Sequence, residues 1–87
     1  MRKIYYTYIL ECADNTLYCG YTNDVEARVR RHNEGEGAKY TRPRLPVRAV
    51  YVEEFATRSE AMSREVKIKR LTRAQKLELI AVQKNKR

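Results

Sequence analysis

The chain has no Trp, one Phe, two Cys, one His, and only 11 acidic residues against 19 basic ones. Each scarcity closes off a class of protein. Two thiols and one imidazole fall short of the four close ligands that a structural zinc site normally needs. Cys12 and Cys19 also lack CxxC spacing, so they are expected as buried thiols in the reducing cytoplasm. No apolar stretch approaches the roughly 20 residues that cross a bilayer, and no hydrophobic signal segment opens the sequence. At 87 residues the chain is expected to form one domain over 1–87, with a core at about 4–72 and a basic helix and tail at 73–87. There is no internal repeat, and low complexity is confined to Lys84 to Arg87.

What is present is tyrosine and positive charge. Seven Tyr can fill the edge of a core while offering hydroxyls to a ligand. The net charge of +8 favours polyanions. From Met62 onward there are nine Lys or Arg but only Glu65 and Glu78 as acids, so the positive field is concentrated in the last third.

Ile4 to Cys12 and Leu17 to Thr22 are rich in β-formers and flank Ala13-Asp14-Asn15, which predicts a β-hairpin. A three-residue loop, Ala13 to Asn15, puts Tyr8 and Tyr18 on one face. A tight Asp14-Asn15 turn puts them on opposite faces. Asn23 with Glu26 resembles a capping box for a helix to about Asn33, with Val25 and Val29 as the buried stripe and Arg28 and His32 beside it. Glu34 to Pro46 reads as a loop or short irregular helix, and Val47 to Phe55 as a third strand. Thr57 with Glu60 caps a helix from Arg58 to about Leu71. Thr72 with Gln75 caps a last one, packed through Leu77, Ile80 and Ala81. The expected class is α+β, a three-stranded antiparallel sheet flanked by about three helices.

Glu65 is the anomaly of the second half. It falls on the apolar side of its helix, among Ala61, Met62 and Ile68, where an uncompensated carboxylate is costly. One reading pairs it with Lys69 at i,i+4. The other makes it a ligand for Mg²⁺ or Mn²⁺, since such ions keep several waters and take further ligands from a phosphate. Arg28 offers a planar fork of donors for a phosphate oxygen, against the ordinary alternative of a solvated arginine. His32 and the two tyrosines likewise read either as packing groups or as phosphate and proton handlers. A phenol is a poor base at neutral pH unless nearby cations favour its ionised form.

Tyr6-Thr7-Tyr8-Ile9-Leu10, Leu17-Tyr18-Cys19-Gly20, Asp24-Val25-Glu26-Ala27-Arg28 with His32-Asn33, and Arg64-Glu65, in that order and spacing, resemble the GIY-YIG nuclease family over about residues 4 to 72. The resemblance is to its small standalone members. The first motif reads Tyr6-Thr7 in place of Gly-Ile, the second carries Cys19 at its centre, and the asparagine many relatives have after the glutamate is absent until Asn85.

The resemblance implies a site on one sheet face. It assigns catalytic roles to Tyr8, Tyr18, Arg28, His32 and Glu65, with Glu65 as the metal ligand for one Mg²⁺ or Mn²⁺ ion beside bound substrate. Tyr18 would take a proton from the attacking water, Arg28 steady the phosphate, and Tyr8 and His32 position water or phosphate, leaving 5′-phosphate and 3′-hydroxyl ends. Lys39, Arg42, Arg44, Lys67 and Lys69 are the expected nucleic-acid contacts. The expected function is a metal-dependent endonuclease acting on DNA rather than RNA, with branched or damaged DNA in repair or recombination as the candidate substrate, as a monomer with no membrane partner. The alternatives are a binding module of the same fold that cuts little or nothing, and an adaptor recruited by an accessory protein.

Overall fold

Alternating side chains and a three-residue connection build the first unit of the fold. In the computed structural model, which describes residues 3–85, strand β1 (Tyr5–Glu11) and strand β2 (Leu17–Thr22) form an antiparallel hairpin. Tyr8 lies opposite Gly20 and Leu10 opposite Tyr18. Cys12 N–H donates to the Thr16 carbonyl at 2.9 Å, which leaves Ala13 to Asn15 as the loop. Asn15 takes the left-handed conformation (φ 67°) that closes such loops. Strand β3 (Arg48–Phe55) adds to the other side of β1, giving the order β2-β1-β3, all antiparallel. A bulge at Val50 sets it and Tyr51 against the same apolar cluster.

Helix α1 (Val25–Asn33) begins at Asp24, whose carboxylate accepts from Ala27 N–H at 3.0 Å. This corrects the expected Asn23 cap. Thr22 is buried in β2 and its hydroxyl receives the Asp24 N–H at 3.2 Å, so the strand end dictates where the helix starts. Val25 and Val29 are half-buried, and the residue α1 sinks deepest is His32, 2% exposed. Asn33 grips the backbone of Val47 in both directions, at 2.7 and 3.1 Å, and so ties off the intervening loop with its 3-10 turn (Arg42–Arg44).

Helix α2 (Arg58–Lys69) carries the expected Thr57/Glu60 capping box. Helix α3 (Arg73–Asn85) starts with the Thr72/Gln75 pair, at 3.2 and 2.9 Å. Two expectations for these helices are corrected. Met62 is exposed, so the inward face of α2 is Ala61 and Ile68. On α3 it is Leu79 with Ile80 that packs inward, while Leu77 and Ala81 are exposed. The Gln83 amide fixes that rotation by bonding both Val52 N–H (3.1 Å) and Val52 C=O (2.6 Å) on the outer edge of β3.

The sheet thus has two covered faces. Tyr8, Leu10, Cys12 and Val47 form one cluster with Val29 of α1 against it, and Ile9, Cys19, Tyr51 and Ile68 form the other under α2 and α3. Among the described residues, no helix is long and apolar enough to cross a membrane.

Candidate active site

The even register of the hairpin puts Tyr8 and Tyr18 on the α1 face. The phenol of Tyr8 then lies across the backbone of Gly20: a Cβ there would sit 2.5 Å from the hydroxyl and 2.7 Å from Cζ. Only glycine leaves this passage, through which Tyr8 reaches a groove of about 420 Å³ lined by Tyr8, Tyr18, Gly20, Arg28 and Glu65. Tyr8 is otherwise buried, and burial pushes its phenol well above the ordinary range, an effect that the nearby Arg28 charge only partly offsets. It therefore stays protonated at neutral pH and can donate a hydrogen bond.

Glu65 enters the groove from the other side. Helix α2 packs on the opposite face of the sheet, yet its Glu65 lines the same groove as Arg28 of α1. The site therefore wraps the outer edge strand β2 rather than occupying one sheet face, a correction to the sequence expectation. An edge strand has no neighbour to block side chains arriving from above and below. The Glu65 side chain is 17% exposed and pairs with Lys69 at 3.6 Å. The i,i+4 partner is present, and Glu65 also borders the groove.

His32 does not line the groove; it packs edge-on behind Tyr18, with ring centroids 5.5 Å apart. Its Nδ1 is 2.8 Å from Thr41 Oγ1, and that hydroxyl donates to the Ala38 carbonyl at 3.0 Å. A hydroxyl has one hydrogen, so Nδ1–H of His32 is the donor to Thr41 and Nε2 holds a lone pair. Nε2 is buried and has no partner among the described residues. Burial, with Arg28 second, lowers the pKa of His32, so the ring is neutral. Gly37 permits this arrangement, because a Cβ there would collide with the imidazole.

On its other side Tyr18 stacks with Tyr40 (6.0 Å, 22°), and the Arg44 guanidinium lies 4.1 Å over Tyr40. Arg44 also reaches Asp14 of the hairpin loop at 3.1 Å and donates to the Tyr40 carbonyl at 2.6 Å. The structure thus uses Arg44 to brace Tyr18. Lys39 and Arg42 are exposed on the same loop, Lys69 is drawn to Glu65, and Lys67 lies outside the groove beside Ser63 and Phe55.

Sequence reasoning missed Lys3, Tyr5, Tyr21, Asn23 and Arg58, which complete the groove lining together with Thr22. A signal for Arg58 was available. It precedes Glu65 by seven residues, two helical turns, and so shares its side of α2.

A single hard divalent cation suits this donor set: among the described residues Glu65 is the only carboxylate in the lining, and the other polar side chains are cations, phenols, one hydroxyl and one amide. Among the described residues no group of three or more His, Cys, Asp or Glu forms a closed metal site.

The GIY-YIG catalytic domain matches residues 4–78. A UPF0213 protein of Haloquadratum walsbyi is 60% identical, over 91% of this chain and 89% of its own length. One from Staphylococcus haemolyticus is 57% identical, over 87% and 93%. The solution NMR structure of a UPF0213 protein from Bacillus halodurans superposes with a TM-score of 0.59 at 46% identity, over 91% of this chain and 84% of that one. That of a protein from E. faecalis gives 0.62 at 44%, over 93% and 86%.

Proposed function

The chain belongs to the GIY-YIG family, and we propose that it is a metal-dependent endonuclease that hydrolyses phosphodiesters in DNA, with branched or damaged DNA as the preferred form. The observation that carries this reading is the meeting of Tyr8, Tyr18, Arg28 and Glu65, from four separate elements, in one groove. In a chain of net charge +8 such a groove draws in a phosphate backbone.

The roles follow from each environment. Tyr18, braced by Tyr40 and backed by His32, would enter the step as a phenolate and receive the proton of the attacking water. Arg28 stabilises the negative charge that develops on the phosphoryl oxygens. Tyr8, held protonated by burial, donates to a phosphoryl oxygen. Glu65 would hold one Mg²⁺ or Mn²⁺, which supplies charge neutralisation at the leaving oxygen. Water attack in line leaves 5′-phosphate and 3′-hydroxyl ends. Two buried free thiols fit work in the reducing cytoplasm, and the protein is proposed to act as a monomer.

The ion pair of Glu65 with Lys69 favours a second reading, a nucleic-acid-binding module that cuts nothing. Incubation with Mg²⁺ or Mn²⁺ and flapped, nicked or branched DNA separates the two. The nuclease cuts, and Glu65→Ala or Arg28→Ala abolishes the cutting. The module binds in a salt-sensitive manner indifferent to metal. Cleavage that survives Glu65→Ala overturns the proposed site.

A further inference from the structure

The groove is larger than the reacting phosphate requires. At about 420 Å³ it falls within the roughly 300–1,000 Å³ of sites that take ligands of drug size, and the reacting group of Tyr8, Tyr18, Arg28 and Glu65 borders only part of it. Its other lining residues include Lys3, Tyr5, Tyr21, Asn23 and Arg58, and none of them is a carboxylate. Tyr21 pairs with Thr7 across the hairpin, and Thr7 bonds the Ala61 carbonyl of α2, so Tyr21 lies on the α2 face. Arg58 joins it there, its Nη2 3.3 Å from the Tyr21 hydroxyl and its Cζ 5.9 Å from the ring centre.

The charge of Arg58 is uncompensated. Arg44, Arg48 and Arg64 each have an acidic partner within 3.1 Å, whereas Arg58 and Lys3 have none among the described residues. Its guanidinium donates to the Tyr21 hydroxyl at 3.3 Å, and the capped first turn of α2 fixes the backbone that carries it. Seven residues of helix place it about 10 Å of rise from Glu65, farther than one phosphate extends. Two exposed cations and a phenol hydroxyl lining the same groove, with Arg58 at that remove from Glu65 along α2, are the donors expected for a second phosphate.

We propose that Lys3, Tyr21 and Arg58 form a subsite for the phosphate that flanks the scissile one, so that the groove takes a polynucleotide strand and not an isolated diester. This rests on the reading of the groove as a phosphodiester site. The Tyr21 ring, with the guanidinium beside it, also offers a surface for the intervening sugar or base.

The test measures binding separately from cleavage. Fluorescence anisotropy with labelled single-stranded oligonucleotides is run in the Glu65→Ala background, adding Arg58→Gln, Lys3→Gln or both, with Arg48→Gln as a charge-matched change outside the groove. Each groove substitution is expected to weaken binding about five- to tenfold and to reduce the slope of log K against log salt by about 0.7. A trinucleotide with two phosphates binds more tightly than a dinucleotide with one, and the double substitution removes that preference. In the cleaving protein the same substitutions raise KM about tenfold and change kcat less than twofold. Equal binding of the two oligonucleotides, or slopes matching Arg48→Gln, overturns the subsite. Cleavage that persists with no effect of Arg58 or Lys3 overturns this inference alone. Binding that depends on Arg58 without any metal-dependent cleavage overturns the nuclease reading and keeps the subsite. Absence of any nucleic-acid binding overturns both.

Discussion

His32 and Thr41, nine residues apart, share a buried hydrogen bond of 2.8 Å that assigns the imidazole tautomer behind Tyr18. Removing the Thr41 hydroxyl leaves a buried N–H without a partner, at a cost of about 1–3 kcal/mol. Thr41→Val is therefore expected to lose about that much stability in urea unfolding, and to lower the cleavage rate beyond what the loss of folded protein explains. Thr41→Ser, which keeps the donor and acceptor, restores most of the rate.

The burial of His32 sets a pH dependence. His32 is depressed in the folded state by burial and by Arg28, so the unfolded chain binds more protons wherever the pH lies between the folded and unfolded pKa values. Stability from this group is complete above the unfolded pKa of about 6.5 and declines as pH falls toward the folded one. Denaturation midpoints from pH 8 to pH 5 should fall across that window in the wild type and much less in His32→Gln. A midpoint that rises on acidification contradicts the assignment.

Gly20 is where a methyl group meets the phenol of Tyr8, at 2.5 Å from its hydroxyl. Because Tyr8 is 1% exposed, its ring has little room to swing away. Gly20→Ala is expected to cost about 1–3 kcal/mol by overpacking and to cut the cleavage rate at least tenfold by shifting Tyr8. Circular dichroism would still report the native fold.

Glu65 is held by Lys69 across 3.6 Å. An ion pair this exposed on one side contributes at most about 1 kcal/mol, far less than a divalent cation gains from a carboxylate. Lys69→Ala should therefore lower the Mn²⁺ concentration needed for half-maximal cleavage by less than about fivefold, and Glu65→Gln should abolish the metal response. A metal response that survives Glu65→Gln removes Glu65 from the site.

Cys19 is pushed up to about 11, first by burial and then by the Glu65 carboxylate. Two units above an ordinary thiol means about a hundredfold less thiolate at a given pH. Alkylation by iodoacetamide at pH 8, followed by mass spectrometry, is expected to be at least a hundredfold slower at Cys19 in the folded protein than after unfolding.

The hairpin was legible from side-chain alternation, but the sequence left two loops open and the fold chose between the two registers. Once Ala13 to Asn15 form the loop, Tyr8 and Tyr18 share a face by parity alone. The Thr57/Glu60 and Thr72/Gln75 caps were legible for a similar reason, since all their partners lie within one turn. Glu65 stood out because a carboxylate among apolar neighbours violates the helix pattern. Failures came where two local choices were nearly equal. Asn23 and Asp24 both cap helices well, and buried Thr22 selected Asp24. Leu77, Leu79 and Ile80 all suit a packing face, and the Gln83 grip on Val52 chose the rotation that leaves Leu77 outside.

What the amino-acid order determined by itself was local: the strands, the caps of α2 and α3, the excess of positive charge, and the residue types a phosphate site requires. Only the folded chain decided that the groove wraps the edge of β2 from both sheet faces, that Arg44 braces Tyr18, and that Arg58 and Lys3 join the lining. The reason is range. Hydrogen-bond caps and alternation act over a few residues and can be read along the chain, whereas the meeting of Arg28 with Glu65, or of His32 with Thr41, depends on how α1, α2 and the loop seat against the sheet once apolar burial has packed them together.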